Sequence, residues 1–153
     1  MPTSPVPEAY RNAVVAHIMI DGAAAAIDFY AEAFGAVELF RIDGPDGRVV
    51  HAEVGVAGST IMLGDAEGPL FRAPTAAGGG TTVGLHVFVD DVDALARRAV
   101  AAGAKLLQSP ADQFHGDRTA ILRDPFGHVW VFLTHLEDLT PDEITRRARD
   151  LFR

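Results

Sequence analysis

His51 and Glu53 lie one residue apart in RVVHAEVGV, a run whose alternation is that of a strand, so both side chains leave it on one face. An imidazole and a carboxylate held together can act as acid and base near neutral pH. The accessible chemistry is proton transfer beside a carbonyl: an isomerisation, an epimerisation or a lyase step. His17 and His86 each open a further apolar run, HIMI and HVFV, and Arg118, in DQFHGDR, carries a charge suited to an enolate. Other chemistries drop out. The chain has no cysteine, which removes thiolate nucleophiles, disulfides and cysteine metal sites. Ser4, Ser59 and Ser109 fall in a Pro-rich lead or at strand ends, without the strand–turn–helix elbow of a serine hydrolase.

These residues sit in a chain of 153 residues, 48% hydrophobic and 22% charged, the profile of one folded domain rather than a disordered segment. Thirteen basic against twenty-one acidic residues leave a net charge of −8. That balance argues against nucleic acid and against anionic membrane surfaces, both of which need clustered cations. No apolar run approaches the roughly 20 residues that span a bilayer. Residues 1–12, MPTSPVPEAYRN, read as a flexible lead with neither the basic nor the apolar part of a signal peptide. Chemistry without cysteine points to a cytoplasmic setting.

A repeat positions the candidates. HIMIDGAAAAIDFYAEAFGA from His17 and HVFVDDVDALARRAVAAGA from His86 align at an offset of 69 residues. Each reads as a strand, an acidic or glycine turn and an amphipathic helix that ends at Gly35 or Gly103. Ile27, Tyr30 and Phe34 mark the buried face of the first helix; Val92, Leu95 and Ala99 mark that of the second, behind Asp91 as N-cap. A hairpin turning at Ala57-Gly58 follows the first copy, and one turning at Asp124-Pro125-Phe126-Gly127 follows the second. Leu39–Ile42 and Lys105–Gln108 supply one more strand each. The fold class is therefore α+β: two tandem βαβββ modules at 13–69 and 83–136, a Gly-rich linker at 70–82, and a C-terminal docking helix within 137–153. Gly78-Gly79-Gly80 lacks the Lys and the following helix of a phosphate loop and reads as linker. Thr140-Pro141-Asp142-Glu143 is a capping box that starts the last helix, with Ile144, Ala148 and Leu151 on one side.

GAAAAIDFYAEAFGA, HAEV, HVFVDDVDAL, DQFHGDR and DPFGHVW occur in the order of the vicinal-oxygen-chelate superfamily, the glyoxalase, bleomycin-resistance and dioxygenase type, and the chain resembles its PhnB-like branch. The resemblance covers 13–150 and implies paired modules whose curved sheets form cups. It also implies homodimers, since such proteins commonly build cups from modules of two chains. The superfamily's metal enzymes carry ligands on the first and last strands of each module. Those positions fall here on Val15, Met62, Gly84 and Val131, and none is a histidine or carboxylate. The expectation is no metal and no other cofactor at that site.

Alternation from these four positions turns His17, Met19, His51, Glu53, Thr60, Met62, His86, Phe88 and Arg118 inward as the ligand-binding set, with Val129 and Leu133 among them. Glu53 and His51 are the catalytic candidates. A buried Glu53 needs a partner, for which Arg118 and the histidines are available. His17, His86 and Glu53 form the alternative, displaced metal site, with ligand chemistry suited to zinc or iron. The 112–118 loop is either a locally capped turn or a rim that presents Arg118 to a ligand. His128 has the opposite parity and is expected to face away, while Trp130 and Phe132 are expected in the core. Two functions remain: a protein that binds a small organic molecule in a metal-free cup, or an enzyme using Glu53 with a histidine for proton transfer.

Overall fold

A computed structural model describes residues 1, 4–75 and 79–152; residues 76–78 of the linker, with Gly78, lie outside the described residues. The first module runs β1 (His17–Ile20), α1 (Ala23–Phe34), β2 (Val37–Asp43), β3 (Val49–Val56) and β4 (Ser59–Asp65). The second runs β5 (Gly84–Phe88), α2 (Val92–Ala102), β6 (Lys105–Asp112), β7 (Asp117–Arg123) and β8 (Val129–His135), before a last helix α3 (Pro141–Leu151). Each module is thus βαβββ, with sheet orders β1-β4-β3-β2 and β5-β8-β7-β6. The first strand of each sheet pairs in parallel with the last, and the other pairs are antiparallel.

The helices form where the spacing predicts them. Ile27, Tyr30 and Phe34 are all buried on α1, and Asp91 caps α2 by accepting from the Ala94 N–H. Gly22, at the N-terminus of α1, has no side chain to cap with. Asp65 at the end of β4 does this instead, accepting from the N–H groups of Gly22, Ala23 and Val49. Burial works to raise the Asp65 pKa, but those three donors outweigh it and hold the carboxyl below its usual range.

Both sheets bury one face in a single core. Tyr30 and Phe34 of α1 pack edge-on or tilted against Trp130 and Phe132 of β8, so the first helix reaches the sheet of the second module. Asp124, only 3% exposed, closes that joint. Its Oδ2 accepts from the Tyr30 hydroxyl at 2.6 Å and the Trp130 indole N–H at 2.9 Å, and its Oδ1 from the N–H groups of Phe126 and His128. Burial, then the Asp124 charge, pushes the Tyr30 phenol far above its ordinary pKa. The His128 ring also crosses the joint, bonded to the Met19 carbonyl at 2.9 Å.

The lead forms a short 3-10 turn at Glu8–Tyr10. The last helix starts at its expected cap, Thr140 accepting from the Glu143 N–H, but no α3 residue is buried. Its tether is a loop contact: the Leu136 and Glu137 N–H groups donate to the Gly116 carbonyl, and Phe152 meets Phe114 edge-on.

Candidate functional site

With one face of each sheet in the core, the other forms a cup wall. On the first sheet the register sets His17, Met62, Glu53 and Phe40 in one row across all four strands. Met19 on β1 and His51, opposite Ile42, occupy the next row; Thr60 lies beyond, opposite Gly55. The sequence-predicted first-module set of His17, Met19, His51, Glu53, Thr60 and Met62 thus shares one face. His17 and His51 meet edge-on with ring centres 5.4 Å apart, and Phe40 stands 6.5 Å from His51. His51 Nε2 lies 3.7 Å from Glu53 Oε1. Burial, then the neighbouring His51, lowers the His17 pKa, which favours a neutral ring able to accept a hydrogen bond.

Besides His51, Glu53 has Tyr10 of the lead as a neighbour. The Tyr10 phenol lies near enough for the interaction with the Glu53 carboxylate, then burial and the carboxylate charge, to raise its pKa. The lead therefore reaches the first cup.

The second cup wall carries His86, Val131, Ile121 and Gln108 in one row and Phe88, Leu133 and Thr119 in the next. Gln113, His115 and Asp117 complete a cavity of about 550 Å³. Arg118 is not part of it, which corrects the sequence expectation. Residues 124–128 form a five-residue connection between the paired Arg123 and Val129, so Val131 faces Ile121 and β7 presents odd-numbered residues to the cup. Ala120 and Leu122 are buried in the core. Arg118 faces α2, donating to Asp93 at 2.6 and 3.0 Å and to Asp112 at 2.8 Å. These bonds raise its pKa further and lower that of Asp93. The loop instead brings His115 and Asp117 to the cavity.

The displaced metal site is likewise not assembled within one chain: among the described residues no three His, Asp or Glu side chains converge closely enough to hold a metal ion. The customary ligand positions, Val15, Met62, Gly84 and Val131, offer one thioether and no nitrogen or carboxylate side chain. They do not fit zinc, nickel or iron. Trp130 and Phe132 are buried in the core, while His128, buried as well, lines a larger cavity at the module joint. This cavity of about 930 Å³ opens between β1 and the linker, with Leu70, Phe71, Val83 and Leu85 on its wall and His17 at its border with the first cup.

Two sheets of this order around one core, with the motifs above, match a known family along most of the chain: the profile of the glyoxalase/bleomycin resistance protein/dioxygenase superfamily fits residues 13–132. The chain belongs to this superfamily. It is 45% identical over 132 residues to an uncharacterised protein of Mycobacterium tuberculosis, covering 84% of this chain and 77% of that one. Among solved structures it is similar to TioX from Micromonospora sp. ML1, with 30% identity, a TM-score of 0.64, and 84% and 99% of the two chains covered. A PhnB protein from Bacillus cereus shares the fold at 17% identity and a TM-score of 0.60, over 79% of this chain and 98% of that one. No helix among the described residues is long and apolar enough to cross a membrane.

Proposed function

We propose that this superfamily member binds a small organic molecule in its cups, with no metal at the customary ligand positions. The observation that carries the reading is the first cup wall: Met19, Phe40 and Met62 give an apolar surface, and His17, His51, Glu53 and Tyr10 give a compact polar group. This mixture suits an apolar body with one or two polar atoms. With Arg118 turned to α2, the ligand needs no full negative charge. A thermal-shift screen of small aromatic and carbonyl compounds tests the reading. A stabiliser whose effect weakens in Glu53→Gln supports it; no stabiliser across such a set overturns it. Elemental analysis of untagged protein purified without chelator is expected to show no stoichiometric transition metal, and one equivalent per chain would refute the metal-free cup.

The 3.7 Å approach of His51 to Glu53 favours one second reading, an enzyme of proton transfer with Glu53 as base. The same variant separates the two: an enzyme keeps affinity in Glu53→Gln and loses turnover, while a binder loses affinity modestly.

We read the working form as a cytoplasmic homodimer. Phe40, Ile42 and Phe88 are exposed on the cup walls, and Leu151 and Phe152 on the last helix, more apolar surface than a lone chain gains by exposing. Light scattering at micromolar concentration is expected to give twice the 16.3 kDa of one chain; a monomer would refute the reading.

A further inference from the structure

The two cups are chemically different, and the second contains a device absent from the first. Asp117 opens β7 opposite His135 at the end of β8. Its Oδ1 lies 2.7 Å from His135 Nδ1 and its Oδ2 3.1 Å from His115 Nδ1. The other nitrogen of His135 lies 2.8 Å from Asp138 Oδ1. A carboxylate between two imidazoles can only accept, so both Nδ1 atoms carry their protons. For His135, with a carboxylate at each nitrogen, this means a cation. The bonds to Asp117 and then Asp138 raise its pKa accordingly. At His115 the same bond commits Nδ1 as the donor, so that Nε2 is the nitrogen left to accept.

His115 is held in place as well as polarised. Phe114 packs edge-on against its ring with centres 5.3 Å apart. The loop beneath is fixed by the Gln113 N–H donating to the Asp117 carbonyl and by the Gly116 carbonyl accepting from Leu136 and Glu137. Gly116 has a φ of +94°, and a Cβ there would stand 2.7 Å from the Glu137 carbonyl oxygen, so this close approach needs glycine. The cup His115 lines has apolar walls of Phe88, Ile121, Val131 and Leu133, with Gln108 and Thr119 as neutral polar groups. The charged or titratable groups around His115 are Asp117 on β7, His86 on β5, His135 on β8, and Asp138 and the Glu137–Arg147 pair beyond it. An imidazole acceptor in a cup whose described lining includes no Lys or Arg disfavours a carboxylate ligand and favours a neutral ligand that donates.

We propose that the second cup is a proton-accepting site: His115 Nε2, backed by Asp117, takes the proton of a weakly acidic hydroxyl on a small aromatic molecule, a phenol or an enol-bearing ring. The inference rests on the cups being ligand sites and adds a direction and a chemical class to one of them. In the step the ligand O–H bond breaks, its electron pair stays on the oxygen, and the proton forms an N–H bond at Nε2. The product is a phenolate paired with an imidazolium, whose charge Asp117 stabilises from the far side. No other reactant is required.

The probe is 4-nitrophenol, whose neutral and ionised forms absorb differently, titrated into the full-length protein near neutral pH, where both forms of the free probe are populated and an imidazole nitrogen is free to accept. Binding is expected to shift its equilibrium about tenfold toward phenolate, the scale of one charge-assisted hydrogen bond. Nitrogen NMR of the imidazoles should show His115 Nε2 passing from the unprotonated to the protonated position. His115→Gln should retain the probe, seen as a rise in melting temperature, and lose the gain in the phenolate band. Asp117→Asn, which removes the carboxylate charge behind Nδ1, should weaken that gain by a similar factor. If Asp117→Asn fails to fold, the NMR signature in the native protein still decides. A probe that binds with no shift toward phenolate, or whose proton goes to His17, His51 or His86, overturns this inference and leaves the cup reading standing. A probe that produces neither a melting shift nor any NMR change overturns both.

Discussion

Replacing Asp124 by alanine tests the joint between the modules most directly. Its carboxylate accepts four hydrogen bonds while 3% exposed. The truncation strands the Tyr30 hydroxyl and the Trp130 indole N–H, at 0% and 1% exposure, away from bulk solvent. Each buried unsatisfied donor costs about 1–3 kcal/mol, and the loss of the turn's two backbone bonds adds to this. Relief from desolvating a carboxylate offsets part of it, for a net loss of about 4 kcal/mol. Tyr30→Phe removes one bond and leaves the carboxylate three, for about 1–2 kcal/mol. In the Asp124→Ala background, however, Tyr30→Phe removes a stranded hydroxyl and should cost nothing or stabilise, so the two effects are strongly non-additive. Urea unfolding followed by the fluorescence of the one tryptophan, Trp130, reads all four proteins. A loss below about 1 kcal/mol for Asp124→Ala, or full additivity, would refute the account.

Other outcomes are expected from the same geometry. Arg118→Ala should leave ligand affinity unchanged in calorimetry, because its guanidinium is engaged with Asp93 and Asp112 on the helix side; a tenfold loss of affinity would return it to a cup. Ala57 holds a φ of 48° in the β3–β4 turn, where Asn is at ease, so Ala57→Asn should stabilise by about 1 kcal/mol in thermal unfolding. The His135 imidazole should titrate above its ordinary midpoint in NMR, since Asp117 and Asp138 favour its charged form. Its contribution to stability is therefore complete below the unfolded histidine's midpoint and fades as pH rises through the folded one. His135→Gln should remove that part of the pH dependence, and an unchanged profile would count against the bridge.

The helices and strand starts were legible because local periodicity encodes them: Ile27, Tyr30 and Phe34 fall on one helical stripe, and the 69-residue offset aligns β1 with β5. The common face of the first-sheet candidates was legible too, since the two-residue turn at Ala57-Gly58 keeps Glu53 opposite Met62. The second cup was misread by a single residue. The connection after Arg123 has five residues, an odd number, and reverses the assumed parity of β7; nothing in Asp-Pro-Phe-Gly announces that His128 also belongs to the turn. Tyr10 was missed because a 3-10 turn in a Pro-rich lead has no periodic signature, and its approach to Glu53 brings together residues far apart in the sequence. The Tyr30–Asp124 bond joins residues 94 positions apart, a separation no local pattern reports.

The shared core also says what kind of object this repeat is. Each half looks like a self-contained unit in the sequence, yet Trp130 and Phe132 of one half are roofed by Tyr30 and Phe34 of the other. Cut at the linker, either fragment would expose the aromatic surface that its counterpart covers. The duplication is thus irreversible in folding terms: the copies have become organs of one body, free to diverge on their outward faces because neither can leave.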